Sequence, residues 1–177
     1  MLAARITLAH FSVSSAMNLL KPAGDNANTV PPKSAIRAFS FFDNQEAIDI
    51  ATDHACQTML GGKRLIDFQD VQLTLADMIA QTCAARALVW QGARTWAPRQ
   101  GVASMAKFHC TDMAINVIHQ AMDLMGERAI LHSARLEKLY RDARLTQIFE
   151  GTNQINRLSV IEDLQEDLLA HTRRTTS

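Results

Sequence analysis

Residues Arg141 to Arg157 read RDARLTQIFEGTNQINR, and Glu150 stands there between the apolar pair Ile148-Phe149 and the pair Gly151-Thr152. An acid just ahead of a helix gains only ~0.3–1 kcal/mol from the positive end of the helix dipole. A solvated surface acid would need none of these neighbours. Ile148 and Phe149 are apolar groups of the kind that strip water from a carboxylate and disfavour its charged form, which suits a base working near neutral pH. Gly151 removes a side chain where a ligand could approach the backbone. Thr152 opens a helix whose first N–H groups can receive an anion. Glu150 is therefore the candidate catalytic base. The competing structural reading pairs it with Arg141 or Arg157 as an ionic clip.

Other chemistry finds little support. The six histidines show no HExxH or comparable ligand spacing, so no metal site is expected. GxGxxG, GK[ST] and GxSxG patterns are absent. Met105, Met113, Met122 and Met125 fall on helical stripes and read as packing. Cys56, Cys83 and Cys110 lack CxxC spacing and read as small buried hydrophobes in a reducing compartment, which points to the cytoplasm. Eighteen basic residues balance eighteen acidic ones, which removes the bulk electrostatic case for nucleic acid or an anionic membrane. No apolar run reaches the ~20 residues of a membrane span.

The elements that must position Glu150 are helices. Of 177 residues, 47% are hydrophobic and 20% charged, enough for one domain with a core. All four prolines and four of the seven glycines fall at Pro22–Asn28, Pro31-Pro32, Gly61-Gly62 and Pro98–Gly101. Between these breaks apolar residues recur at helical spacing: Val71, Leu75, Met78, Thr82, Ala85 and Val89 in one segment. Another runs Cys110, Met113, Ala114, Val117, Ile118, Ala121, Met122 and Met125; the last helix carries Ile155, Leu158, Ile161, Leu164 and Leu168. The pattern predicts an all-α, up-down four-helix bundle with long helices near 33–57, 69–97, 101–126 and 152–170. One or two shorter helices are expected between 135 and 148, and no strand. Residues 1–32 form a separate unit, an extra helix over 2–20 and a turn-rich linker, ahead of the bundle at 33–177. The first 24 residues hold Arg5 and Lys21, several serines and no acid, a composition weakly like a transit peptide but read here as a native helix.

The segment YRDARLTQIFEGTNQINR resembles the C-terminal signature of the acyl-CoA dehydrogenases. The resemblance runs backwards through Leu75-Ala76-Asp77-Met78, Val71-Gln72, Gly62-Lys63 to Phe68-Gln69 and Ala47 to Ala55, covering about residues 33–170. It implies the helical C-terminal domain of an FAD-linked oxidoreductase that introduces a double bond between Cα and Cβ of an acyl-CoA thioester. Position by position, it makes Glu150 the base and Gly151 part of the acyl thioester site, with Gln69, Gly126, Thr152 and Gln154 at FAD. The resemblance also implies a homo-oligomer or a partner chain.

Departures from the family pattern bear on the cofactor. Thr58 stands where the family keeps an arginine for the FAD pyrophosphate, and Gly61 where it keeps a phenylalanine. Asp123 and Glu127 fall in the stretch that faces the adenylate end of the flavin across the family's dimer interface, and Lys63 or Arg64 is the nearest replacement charge. Weak or absent FAD binding by this chain alone is expected, and the alternative function is a catalytically silent bundle serving oligomerisation or a partner.

Overall fold

The computed structural model describes residues 33–94 and 100–175. The expected helix over 2–20, its linker and residues 95–97 lie outside them. Five helices are described: α1 Lys33–Gln57, α2 Gln69–Arg94, α3 Gln100–Met125, α4 Leu136–Thr146 and α5 Asn153–Thr175. The helical architecture and the four long segments agree with the pattern of breaks and apolar stripes.

The α1–α2 connection corrects the expectation of no strand. Met59–Leu60 (β1) and Lys63–Arg64 (β2) form a minimal antiparallel hairpin, pairing Met59 with Arg64 and Leu60 with Lys63. Gly61 and Gly62 carry it with φ of 58° and 83°, the pair of positive angles that a two-residue hairpin turn needs. Arg64 then grips Asp67 through two hydrogen bonds of 2.9 and 3.1 Å, closing a 3-10 turn over Leu65–Asp67 ahead of α2.

Helix α3 is the centre of the molecule, packed against α1, α2, α4 and α5. Its stripe from Cys110 through Ala121 is buried as the spacing predicts, facing Ala47, Ile48 and Ala51 of α1 and Leu75, Met78 and Ala85 of α2. Alanines 103, 106, 114 and 121 on α3 are buried, and small residues there let neighbouring helices approach closely. Polar pins set the register: Asn116 Nδ2 donates to Gln81 Oε1 at 2.8 Å, and Asn44 Nδ2 meets Met113 Sδ at 3.4 Å. Helix α4 adds Leu136, Leu139 and Ala143 to the same core.

Two further expectations are corrected. Cys110 is buried, but Cys56 and Cys83 are exposed. The apolar stripe of α5 also faces outward, with Ile155, Leu158, Ile161, Leu164 and Leu168 all exposed. Helix α5 lies along α3 and turns Asn153 and Asn156 inward instead, both buried.

Candidate functional site

The turn between α4 and α5 holds Glu150. Thr146 ends α4 by donating its hydroxyl to the Ala143 carbonyl at 2.6 Å, and the backbone continues in tight turns through Gln147, Ile148 and Phe149. Glu150 then takes φ 53° and Gly151 φ 89°. The left-handed region costs a residue with a Cβ ~1–2 kcal/mol, so the Glu150 conformation must be held by its surroundings. Thr152 caps α5 as its sequence position predicts, its hydroxyl accepting the Ile155 N–H at 3.4 Å. Asn156 Nδ2 ties down the turn from inside, donating to the carbonyls of Gly151 at 2.9 Å and Thr152 at 3.0 Å.

A polar patch on α3 lies beneath this turn, and sequence reasoning missed it. Asp112 accepts from Asn153 Nδ2, Gln147 Nε2 and Arg157 Nη2, each at 2.6 Å. Thr111 Oγ1 accepts from Asn153 Nδ2 at 2.9 Å. Lys107, only 1% exposed, extends its ammonium to the Gly151 carbonyl at 2.8 Å and Asn153 Oδ1 at 2.7 Å. The available signal was the spacing of Ser104, Lys107 and Thr111, polar residues three and four apart on a helix whose other inward positions are apolar.

This arrangement removes the clip reading of Glu150. Arg141 is engaged with Glu137 at 2.9 Å, and Arg157 with Asp112, its guanidinium also 4.7 Å above the Phe108 ring. Glu150 makes no ion pair among the described residues, and its Oε2 is buried without a hydrogen-bond partner. It is the only carboxylate oxygen so placed among the described residues. Burying a polar atom unpartnered is costly, which makes Oε2 a candidate acceptor for a ligand's proton or donor. The expected apolar wall is only partly there: Phe149 is half-buried but Ile148 is 58% exposed.

The six sequence-predicted site residues fall into two groups. Glu150, Gly151, Thr152 and Gln154 are together at the start of α5, level with Lys107 to Asp112 of α3. Gly126, φ 58°, follows the end of α3, fourteen residues beyond Asp112, which is roughly 20 Å along a helix. Gln69 opens the antiparallel α2, whose Ala85 meets Cys110 and whose Gln81 meets Asn116, so it sits at the Gly126 end. One chain does not bring all six to one place.

Around the hairpin, Thr58 Oγ1 is 3.3 Å from His54 Nδ1, and burial followed by the nearby Arg128 charge holds the His54 imidazole below its usual range. The Arg64 hydrogen bond likewise holds the Asp67 carboxyl below the usual carboxylate range, so Arg64 is committed locally. Asp123 and Glu127 are exposed. No group of three or more His, Cys, Asp or Glu residues among the described ones could hold a metal ion.

Comparison with known proteins agrees with this architecture. The family described as acyl-CoA dehydrogenase, C-terminal domain, matches residues 33–165. The mitochondrial short-chain specific acyl-CoA dehydrogenase of Bos taurus is 37% identical over 119 residues, 66% of this chain and 29% of that protein. Cyclohexane-1-carbonyl-CoA dehydrogenase of Geobacter metallireducens is 31% identical over 140 residues, 76% of this chain and 36% of the relative. Butyryl-CoA dehydrogenase from Megasphaera elsdenii superposes with a TM-score of 0.72 at 29% identity, covering 75% of this chain and 36% of the other. The chain thus spans about a third of the length of the relatives it matches. With the helical core and the matched residues 33–165 in agreement, the chain belongs to the acyl-CoA dehydrogenase family, through its C-terminal domain.

Proposed function

We propose that this chain supplies the base-bearing helical wall of an FAD-linked acyl-CoA dehydrogenase acting on the CH–CH bond α,β to a thioester. The observation that carries the reading is the buried, unpartnered Oε2 of Glu150 beside the side-chain-free Gly151. In this role Glu150 accepts the α-proton of the acyl-CoA and becomes a carboxylic acid, while Gly151 leaves room for the thioester against the turn. A proton acceptor needs a lone pair not already taken by a donor, and Oε2 has no hydrogen-bond partner.

The residues present fit one end of the flavin dinucleotide. Thr152 and Gln154 are exposed at the first turn of α5, where they would hold the flavin, and Gln69 and Gly126 are exposed at the far end of the bundle for a more distant part of the cofactor. The pyrophosphate end is weakened, since Thr58 carries no charge and Arg64 is engaged with Asp67, leaving only the exposed Lys63 as a replacement charge. Bound FAD would supply the acceptor for the β-hydrogen as hydride. Acyl-CoA is the substrate class, and a second copy or a partner chain completes the enclosure. The described helices include none long and apolar enough to cross a membrane, and the free thiols of Cys56 and Cys83 suit a reducing compartment such as the cytoplasm.

The second reading, a silent bundle serving assembly, is favoured by the same loss at Thr58 and Gly61. Anaerobic titration of an assembly containing this chain and FAD with a saturated acyl-CoA separates the two. Bleaching of the flavin absorbance supports the dehydrogenase, and an unchanged spectrum supports the silent bundle.

A further inference from the structure

We infer that Lys107 is a positioning residue for Glu150, its buried ammonium holding the 147–153 turn in the left-handed conformation that presents the carboxylate. The consequence for catalysis rests on the reading of Glu150 as base, whereas the ordering of the turn stands apart from it. Lys107 has the largest side chain among those that are fully buried. Its ammonium has three N–H donors, and three oxygens of one segment receive them: Gln147 O at 3.4 Å, Gly151 O at 2.8 Å and Asn153 Oδ1 at 2.7 Å. Two of the three are backbone carbonyls that bracket Glu150 on either side. The turn therefore wraps a cation supplied by α3.

The neighbouring α3 groups do a different job. Asp112 and Thr111 bind side chains, those of Gln147, Asn153 and Arg157, and leave the turn backbone alone. Asn156 shares the Gly151 carbonyl but comes from α5 itself, so it cannot fix the turn relative to α3. Lys107 thus links the backbone on both sides of Glu150 to the central helix. Consecutive positive φ angles at Glu150 and Gly151, 53° and 89°, are a conformation that needs such a link, because a residue bearing a Cβ leaves it once the restraint is gone. A buried charge hydrogen-bonded to carbonyls is also directional, so its loss differs from the loss of packing.

Hydrogen exchange on Lys107→Ala tests this without substrate. Amides in peptides spanning residues 147–156 should exchange about tenfold faster or more, while α1 and α2 peptides keep their protection. Propylammonium, which replaces the deleted stem and charge, should restore protection, and 1-propanol of similar size should not. Protection unchanged in Lys107→Ala, or equal rescue by propanol, overturns the inference. If Lys107→Ala fails to fold, Lys107→Met keeps the stem packing. Loss confined to the turn then supports the inference, and uniform loss of protection overturns it. In an active assembly, Lys107→Ala should lower kcat far more than it raises KM, with recovery by propylammonium. A Glu150→Gln variant that kept full turnover would remove the base reading and leave the exchange result standing.

Discussion

Glu150 and Gly151 sit in consecutive left-handed conformations, and only the second lacks a side chain. A Cβ on Gly151 would be strained at φ 89° and would meet Asn156 Nδ2 at 3.4 Å. Gly151→Ala should therefore lower stability by ~1–2 kcal/mol, read as an earlier urea midpoint with an unchanged m-value. A substitution without effect would mean that the turn relaxes freely, contrary to its internal bonding. His54 makes a separate prediction. Burial, then the Arg128 charge, lowers its proton affinity in the folded state, so the unfolded chain binds the proton more readily. Stability from this group is complete above the unfolded value near ~6.5 and is lost as pH falls below it. Melting temperature measured between about pH 7.5 and 5 should fall in wild type, and His54→Gln should flatten that part of the slope.

At the scale of elements, α5 is tied to α3 by polar contacts where apolar ones were expected. The Asp163 carboxylate accepts the Gly101 N–H at the first turn of α3, sixty-two residues away in sequence, and a methyl group at Gly101 would run into it. Asp163→Ala should cost ~0.5–2 kcal/mol, the usual range for a lost helix N-terminal acceptor. Gly101→Ala should destabilise wild type yet be neutral or stabilising by up to ~1 kcal/mol in the Asp163→Ala background, since alanine then brings only its helix propensity. Additive losses in a denaturation cycle would contradict this contact. What the sequence revealed divides along the same line. Breaks at Gly61-Gly62 and Pro98–Gly101, with the stripes through Met78 and Val117, set the helices because periodicity reports each segment's own geometry. The direction of the α5 stripe was not legible, because Ile155, Leu158 and Ile161 have the period of a buried face while Asn153, Asn156 and Asp163 make the contact. The motif around Glu150 was legible, but Lys107 beneath it was not, because one lysine in an apolar helix does not announce three carbonyl-side partners from a distant turn. The hairpin escaped because two-residue strands have no period to detect.

At the scale of the whole molecule, the outward row Ile155, Leu158, Ile161, Leu164, Leu168 and Leu169 is half or more exposed over most of its length, a surface that association would cover. The chain should therefore run as a dimer or larger in light scattering at micromolar concentration, and a monomeric mass would contradict that expectation. FAD should not survive gel filtration with this chain alone, because Thr58 brings no charge and Arg64 is bound to Asp67, which leaves the exposed Lys63 alone to meet the pyrophosphate. Stoichiometric retained flavin would overturn the argument from those positions. The central claim, that Glu150 is the base of an assembly containing this chain and FAD, is tested most directly by the steady-state turnover of acyl-CoA by the Glu150→Gln variant. The amide keeps the shape beside Gly151 but cannot take the α-proton, so turnover should fall ~10²–10⁴-fold with KM and melting temperature little changed; turnover equal to wild type would contradict the account.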